Sequence, residues 1–175
     1  MRRFFGVAAA LFVLTLFLGA CDDIVEDATF RMWCGENLCS WTTEKGRIHR
    51  APTWHKQDYG VELLDTPTVI SQTVLDKSPK CLLFTTIADL APSAALTVGI
   101  DFNADGTIDS EHELAAVGFR EARTEVTAPV HYQGLRIVIT KNGSGRAVLA
   151  QLRVQSKPDC TAPRVTLQDL PLGSR

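Results

Sequence analysis

The chain has 175 residues, of which 45% are apolar, 7% aromatic and 22% charged, and its formal net charge is −2. This length suits one domain of ordinary size and is too short for two well-packed ones. The apolar content excludes a disordered chain, and the lack of a basic excess argues against a nucleic-acid partner.

The N-terminus has the features of a bacterial export signal. The pair Arg2-Arg3 precedes an uncharged apolar stretch from Phe4 to Ala20. The stretch ends in Leu18-Gly19-Ala20-Cys21, which closely resembles the lipobox of bacterial lipoproteins. The resemblance implies cleavage after Ala20 and attachment of lipid to the Cys21 thiol. It therefore implies a membrane anchor in the bacterial cell envelope, on the periplasmic side or at the cell surface. The alternatives are a plain signal peptide cut near Ala20 and an uncleaved anchor.

The remaining chain is predicted to hold a short tether at residues 21–28, a β-sandwich domain at 29–160 and an irregular tail at 161–175. Apolar residues alternate with polar or small ones along residues 96–102, a period of two that is typical of strands. Turn sequences such as Asp105-Gly106 and Asn142-Gly143 separate the strands. Further predicted strands are Phe30–Cys34, Tyr59–Leu64, Thr68–Val74, Cys81–Ile87, Arg123–Ala128, Leu135–Thr140 and Ala147–Val154. The pattern predicts an all-β fold, an antiparallel β-sandwich of about nine strands, with Glu111–Phe119 as the one segment that would suit a helix.

Two stretches resemble galactose-binding-like jelly rolls, which include many carbohydrate-binding modules. In the first, Ser40-Trp41-Thr42 and Gly46-Arg47-Ile48 precede Asp58-Tyr59-Gly60-Val61-Glu62-Leu63. In the second, a strand at 135–140 and the Asn142-Gly143 turn precede the closing strand at 147–154, like the last hairpin of that family. The resemblance spans about residues 30–155. It implies a jelly-roll sandwich and identifies no ligand-binding residue.

The cysteines predict two disulfide bonds. With Cys21 lipidated, four cysteines remain, and an even number outside the cytoplasm favours disulfides in one of three pairings. The turn-forming run Gly35-Glu36-Asn37-Leu38 can bring Cys34 and Cys39 together. Elimination leaves Cys81–Cys160, and the jelly-roll resemblance supports it because the closing strand there lies antiparallel to a central strand. Neither a CxxC pair nor a Cys/His cluster at metal spacing occurs, so zinc is not predicted.

The run from Asp101 to Asp109 resembles the first nine positions of the EF-hand and dockerin calcium loop. Its position 12 is His112 instead of an acid, and a strand precedes it instead of a helix. A β-hairpin loop that uses Asn and Asp-Gly for its backbone angles is the alternative to a structural calcium site. The candidate calcium ligands are Asp101, Asn103, Asp105, Thr107 and Asp109.

The aromatic residues bear on function. Trp54 stands in the polar loop 53–58 and is a candidate platform for a sugar ring, whereas Trp41 and Tyr59 are predicted to pin that loop to the core. No GxSxG or HExxH motif occurs, so no catalytic residue is predicted. The favoured function is non-catalytic binding or scaffolding at the cell envelope, with a glycan as the candidate ligand. An accessory subunit that docks on another envelope protein is the alternative, and an enzyme is the third hypothesis.

Overall fold

A computed structural model describes residues 23–53, 58–74, 80–114, 118–158, 160 and 166–169. Within them the chain is all-β, with two sheets packed as a sandwich and a small separate hairpin. The strands are β1 (Trp33–Cys34), β2 (Asn37–Leu38), β3 (Thr42–Lys45), β4 (Ile48–Pro52), β5 (Tyr59–Leu63), β6 (Thr68–Val74), β7 (Cys81–Leu90), β8 (Ala95–Phe102), β9 (Ser110–Leu114), β10 (Gly118–Thr127), β11 (Leu135–Asn142), β12 (Ala147–Lys157) and β13 (Thr166–Asp169). The predicted antiparallel β-sandwich is confirmed.

Both sheets are antiparallel throughout. One has six strands in the order β13-β10-β7-β12-β5-β4, and the other has five in the order β3-β6-β11-β8-β9. Alternate residues of each strand point into the space between the sheets, because successive side chains of a strand face opposite ways. The core there includes Leu82 and Phe84 from the larger sheet and Leu96, Ile137 and Ile139 from the smaller one.

Both predicted disulfide bonds are present. Cys34 and Cys39 bridge the β1–β2 hairpin with a Cα–Cα distance of 5.1 Å. Cys81 and Cys160 have a Cα–Cα distance of 5.2 Å. The second bond follows from the antiparallel pairing of β7 with β12, which places Lys157 opposite Cys81. The placement of the closing strand beside a central one is therefore confirmed.

The expected last hairpin is wrong. β11 lies in the five-stranded sheet and β12 in the six-stranded one, so the segment at Asn142-Gly143 crosses between the sheets instead of joining paired strands. Gly143 has φ of 80°, and a Cβ there would lie 2.1 Å from the Ser93 carbonyl oxygen. Glycine is thus required by a close approach to the β7–β8 loop as well as by its backbone angles.

Two further expectations differ from the structure. Glu111–Phe119 holds no helix among its described residues, because Ser110–Leu114 pairs with β8 as a hairpin strand and β10 starts at Gly118. The tail at 161–175 is not wholly irregular, because Thr166–Asp169 pairs with β10 at the edge of the larger sheet. In both places pairing with a neighbouring strand decides the conformation, which a weak local pattern does not reveal.

The predicted tether at 21–28 is wrong for its described part, residues 23–28. Asp23 bridges Gln155, the Ile24 amide donates to the Val154 carbonyl oxygen at 2.8 Å, and the Leu152 amide donates to the Ala28 carbonyl oxygen at 2.8 Å. β5 pairs with β12 only at Val148 and Leu149, so this segment pairs with the next part of β12. It is therefore part of the sandwich.

Gln72 on β6 ties this N-terminal segment to the sandwich. Its side-chain oxygen accepts from the Glu26 amide at 2.7 Å, and its side-chain nitrogen donates to the carbonyl oxygens of Glu26, at 2.9 Å, and Ser40, at 2.7 Å. The residue is buried. Such a buried amide is stable only because its donors and acceptors are paired.

We expect Gln72→Ala to lower the free energy of unfolding by about 2–3 kcal/mol, because three hydrogen bonds of about 1 kcal/mol each are lost and their partners stay partly buried. Thr73→Ala, at the exposed next position, is the control and should change it by less than about 0.5 kcal/mol. Urea unfolding measures both. If the two variants lower the free energy of unfolding by the same small amount, the hydrogen bonds of Gln72 do not stabilise the N-terminal segment.

Candidate ligand-binding site

An exposed aromatic ring lies at the β4–β5 side of the larger sheet. Tyr59, the first residue of β5, is 41% exposed. The guanidinium carbon of Arg50 on β4 lies 4.3 Å from the centre of the Tyr59 ring, a cation–π contact. Tyr59 pairs with Pro52 and Arg50 pairs with Val61, so the two side chains are diagonal neighbours on one face of the sheet.

The exposure of Tyr59 follows from its place in the sheet. By strand alternation its side chain shares a face with Val61 and Leu63, which are buried in the core. However, β4 is the last strand of the six-stranded sheet, and the sandwich partner has one strand fewer. Tyr59 therefore lies one strand from the edge of the sheet and at the start of its own strand, and there Arg50 covers part of its ring.

An ion pair involves the residue that precedes Tyr59 in the chain. Arg31 donates from Nη2 to the Asp58 carboxylate at 2.6 Å, and both side chains are about half exposed. The backbone of Arg31 is held by the Asp27 carboxylate, which accepts from the Arg31 and Met32 amides at 2.8 Å each. The Thr53 amide donates to the Asp58 carbonyl oxygen at 2.9 Å and closes the loop that leads to Tyr59. We call Arg31, Arg50, Asp58 and Tyr59 the Tyr59 edge.

The aromatic predictions have three outcomes. Trp41 is buried, with its ring centre 5.2 Å from that of Phe30, so its assignment to the core is confirmed. The assignment of Tyr59 to the core is wrong, because the ring is 41% exposed at the start of β5. The sugar-platform candidate Trp54 lies outside the described residues.

The Tyr59 edge combines three kinds of chemistry at the start of β5. The aromatic ring offers an apolar face, the two guanidinium groups are donors with fixed geometry, and the Asp58 carboxylate is an acceptor. A polyhydroxylated ring has apolar C–H groups beside hydroxyl groups that both donate and accept. The surface is therefore suited to a sugar.

A second polar surface covers the outer face of the five-stranded sheet. The Glu44 carboxylate accepts from Ser71 Oγ and, at 2.5 Å, from Arg136 Nη2, and Arg136 Nη1 lies 3.3 Å from the Asp101 carboxylate. Burial raises the pKa of Glu44, but the hydrogen bonds from Ser71 and Arg136 outweigh it and hold the pKa below its ordinary value. These side chains are less exposed than Arg31 and Asp58, so this face presents less polar surface to a ligand than the Tyr59 edge.

The candidate calcium ligands are used by their own loop. The Asp101 carboxylate accepts from the Asp105 and Gly106 amides at 3.1 and 2.9 Å, and Asp109 accepts from the Phe102 amide at 2.7 Å. Asp105 Oδ1 accepts a hydrogen bond from the Thr107 amide, and Asn103 Oδ1 accepts one from the Gln133 amide.

These carboxylates do not converge. Among the described residues, the acidic, cysteine and histidine side chains that come close enough to hold an ion are Cys81, Glu125 and Cys160, and the two cysteines are disulfide-bonded. Positive φ angles at Asn103 and Gly106 confirm the part of the hairpin prediction that concerned backbone angles. The calcium hypothesis stays a prediction.

Ser110 and His112 form a pair that the sequence analysis did not find. Their side chains point between the sheets, with Ser110 Oγ 2.9 Å from His112 Nε2. Burial lowers the pKa of His112. The small cavity beside the ring is lined by Phe84, Val98 and Ala122, together with two threonines. In the part of the chain that the structure describes, this cavity brings no carboxylate to the histidine, as a catalytic triad requires.

Comparison of the sequence with protein-family models and with curated proteins found no match. Solved structures do match. The enzymatically active domain of tailspike protein 4 from bacteriophage CBA120 has a TM-score of 0.60 at 12% identity, over 77% of this chain and 21% of that one. Xylanase 10B of Clostridium thermocellum, a chain of CBM22-1 and GH10 modules complexed with xylohexaose, has a TM-score of 0.56 at 10% identity, over 79% and 29%.

A candidate sugar-binding protein from Bacteroides thetaiotaomicron has a TM-score of 0.50 at 9% identity, over 78% of this chain and 100% of that one. This chain spans less than a third of the first two proteins. At these identities the likeness is one of fold. In the described residues, no helix is long and apolar enough to cross a membrane.

Proposed function

We propose that this protein is a lipid-anchored protein of the bacterial cell envelope whose sandwich binds a glycan without catalysis. The observation that carries the glycan proposal is the exposed Tyr59 ring, which Arg50 contacts and which directly follows the Arg31–Asp58 ion pair in the chain. The fold likeness to proteins whose names include sugar binding and xylanase supports it. The anchor proposal rests on the Leu18-Gly19-Ala20-Cys21 lipobox.

The non-catalytic part of the proposal rests on the arrangement of titratable groups. Ser110 and His112 are half-buried between the sheets and face an apolar cavity. The carboxylates of Glu44 and Asp101 share Arg136 as a hydrogen-bond donor. A hydrolytic site would instead present an acid and a nucleophile to the same exposed pocket.

The docking alternative has less support. A docking subunit is expected to expose an apolar patch of several hundred Å². The large apolar residues that are exposed in the described chain are Met32, Tyr59, Leu64, Ile108 and Val130. Tyr59 begins β5 and Leu64 follows it, about 17 Å away along that strand, so the five do not form one continuous patch. They therefore indicate no single docking face.

Glycan binding is tested with the chain from residue 22 onward on an array of bacterial and plant polysaccharides. For a glycan that binds, we expect Tyr59→Ala to weaken binding by about tenfold or more, equivalent to ~1.4 kcal/mol. Tyr59→Phe keeps the ring and should bind within about threefold of the parent, less than ~0.7 kcal/mol. Titration calorimetry measures both.

The control for the glycan test is Ile108→Ala, in the loop between β8 and β9 of the other sheet, which should leave binding unchanged. An array without any bound glycan would overturn the proposed function. Binding that survives Tyr59→Ala and is lost on Glu44→Ala would move the site to the outer face of the five-stranded sheet.

Lipidation is tested in bacteria supplied with labelled palmitate. Cys21→Ser should abolish labelling and leave an unprocessed precursor, because the modified thiol is required before cleavage after Ala20. Labelling that persists in this variant would contradict the anchor. Cys34→Ser with Cys39→Ser is the matched control and should still be labelled.

A further inference from the structure

The end of the sandwich that carries the Cys81–Cys160 disulfide is formed by fixed loops. We call it the disulfide end. The Ala128 amide donates to the Lys80 carbonyl oxygen at 3.0 Å beside Cys81, so the loop 128–134 begins there. At its other side the Asn103 amide donates to the Gly134 carbonyl oxygen at 2.8 Å, and the Tyr132 ring packs edge-on against Phe102 at 5.2 Å.

This fixed loop exposes an apolar side chain. Val130 is 91% exposed, the largest value among the large apolar residues of the described chain. Ala128 is buried and Tyr132 is half-buried against the core, so the loop is held on both sides of Val130. Valine is among the residues that are most often fully buried, and at the tip of this held loop its side chain is available for a contact outside the domain.

The lipid anchor leads to the same end. Asp23 lies opposite Gln155 on β12, two residues before β12 ends at Lys157 opposite Cys81. Cys21 precedes Asp23 by two residues, which extend about 7 Å at most. The far end of β12, at Ala147, is eight residues from Gln155 and therefore about 26 Å away. A lipid on Cys21 can reach the level of the disulfide end but not that of the far end.

We propose that the disulfide end is seated on the membrane, with Val130 in contact with the lipid surface, and that the far end points away from it. This proposal rests on the lipid anchor of the proposed function, and it does not depend on the glycan. The occupant is a bilayer, because the lipid proposed on Cys21 lies within about 7 Å of Asp23, at the same end of the sandwich as Val130. The Tyr59 edge stays on the side of the sheet, where it is accessible from the aqueous space.

The test uses the full lipidated protein in vesicles of phosphatidylethanolamine and phosphatidylglycerol that carry a nitroxide on the lipid headgroup. Val130→Cys is labelled with an environment-sensitive fluorophore. The control is Leu64→Cys, an exposed apolar position that follows β5 at the far end. We expect quenching at position 130 to be at least about twofold stronger than at position 64, since the two ends lie about 26 Å apart.

Equal quenching at both positions, in protein that floats with the vesicles, overturns the orientation and leaves the anchor intact. A fluorophore at position 130 that is shielded but not quenched by the lipid nitroxide also overturns it, because a protein then covers Val130. Protein that does not float overturns the anchor and the orientation together. A glycan array without a bound glycan affects only the glycan proposal.

Discussion

Replacing Cys81 and Cys160 together by alanine is expected to lower the free energy of unfolding by about 4.5 kcal/mol, because the bond closes a long loop in the unfolded chain. The two cysteines are 79 residues apart in sequence, whereas Cys34 and Cys39 are 5 apart. In the chain-entropy model the short loop contributes only about 2 kcal/mol. The Cys34→Ala, Cys39→Ala protein is therefore the matched control.

Urea unfolding of the two double variants measures the difference. The disulfide joins the start of β7 to the segment after β12, at the centre of the larger sheet, so its loss should also speed hydrogen exchange in both strands. Equal losses in the two double variants would contradict the loop-length explanation. They would indicate that local contacts of each bond, and not chain entropy, set its contribution.

Asp101→Ala is expected to lower the free energy of unfolding by about 3–4 kcal/mol, because it removes a buried charge from its partners. The side chain is fully buried and accepts from two amides of the hairpin loop and from Arg136. Without the carboxylate, these donors stay partly buried without an acceptor. Asp101→Asn keeps one acceptor oxygen, and we expect it to lower the free energy of unfolding by about 2 kcal/mol.

Asp105→Ala is the control for Asp101→Ala. Asp105 is exposed and accepts from the Thr107 amide, so its loss should lower the free energy of unfolding by about 0.5–1 kcal/mol. The same melts test the calcium hypothesis. If the loop binds calcium, the ion raises the melting temperature and Asp105→Ala abolishes that rise. If Asp105→Ala lowers the free energy of unfolding as much as Asp101→Ala does in the absence of calcium, the assigned structural role of Asp101 is wrong.

Several features could be predicted from local sequence. Alternation of apolar residues with polar or small ones identified the strands at 95–102 and 135–142 within two residues of their observed bounds, because the face of a strand that packs in the core is mostly apolar. The turn between Cys34 and Cys39 and the Asp105-Gly106 loop are also local. Their conformations depend on residues a few positions apart.

The candidate site could not be predicted in this way. Tyr59 alternates in phase with Val61 and Leu63, a pattern that assigns it to the core. Whether a residue on that face is buried depends on how far the other sheet extends. That width depends on strands distant in sequence, and Arg31 reaches Asp58 only because the N-terminal segment lies along β12.

Local sequence was sufficient to predict most of the long strands and, with the jelly-roll resemblance, the pairing of the cysteines, because alternation and turn chemistry act between near neighbours in the chain. Long-range packing places residues 23–28 in the sandwich, β11 and β12 in different sheets, and Tyr59 at the surface. Each of these depends on which distant strand supplies hydrogen-bond partners and cover. An alternating apolar pattern predicts that a side chain is buried, but the packing of the two sheets determines whether other residues actually cover it.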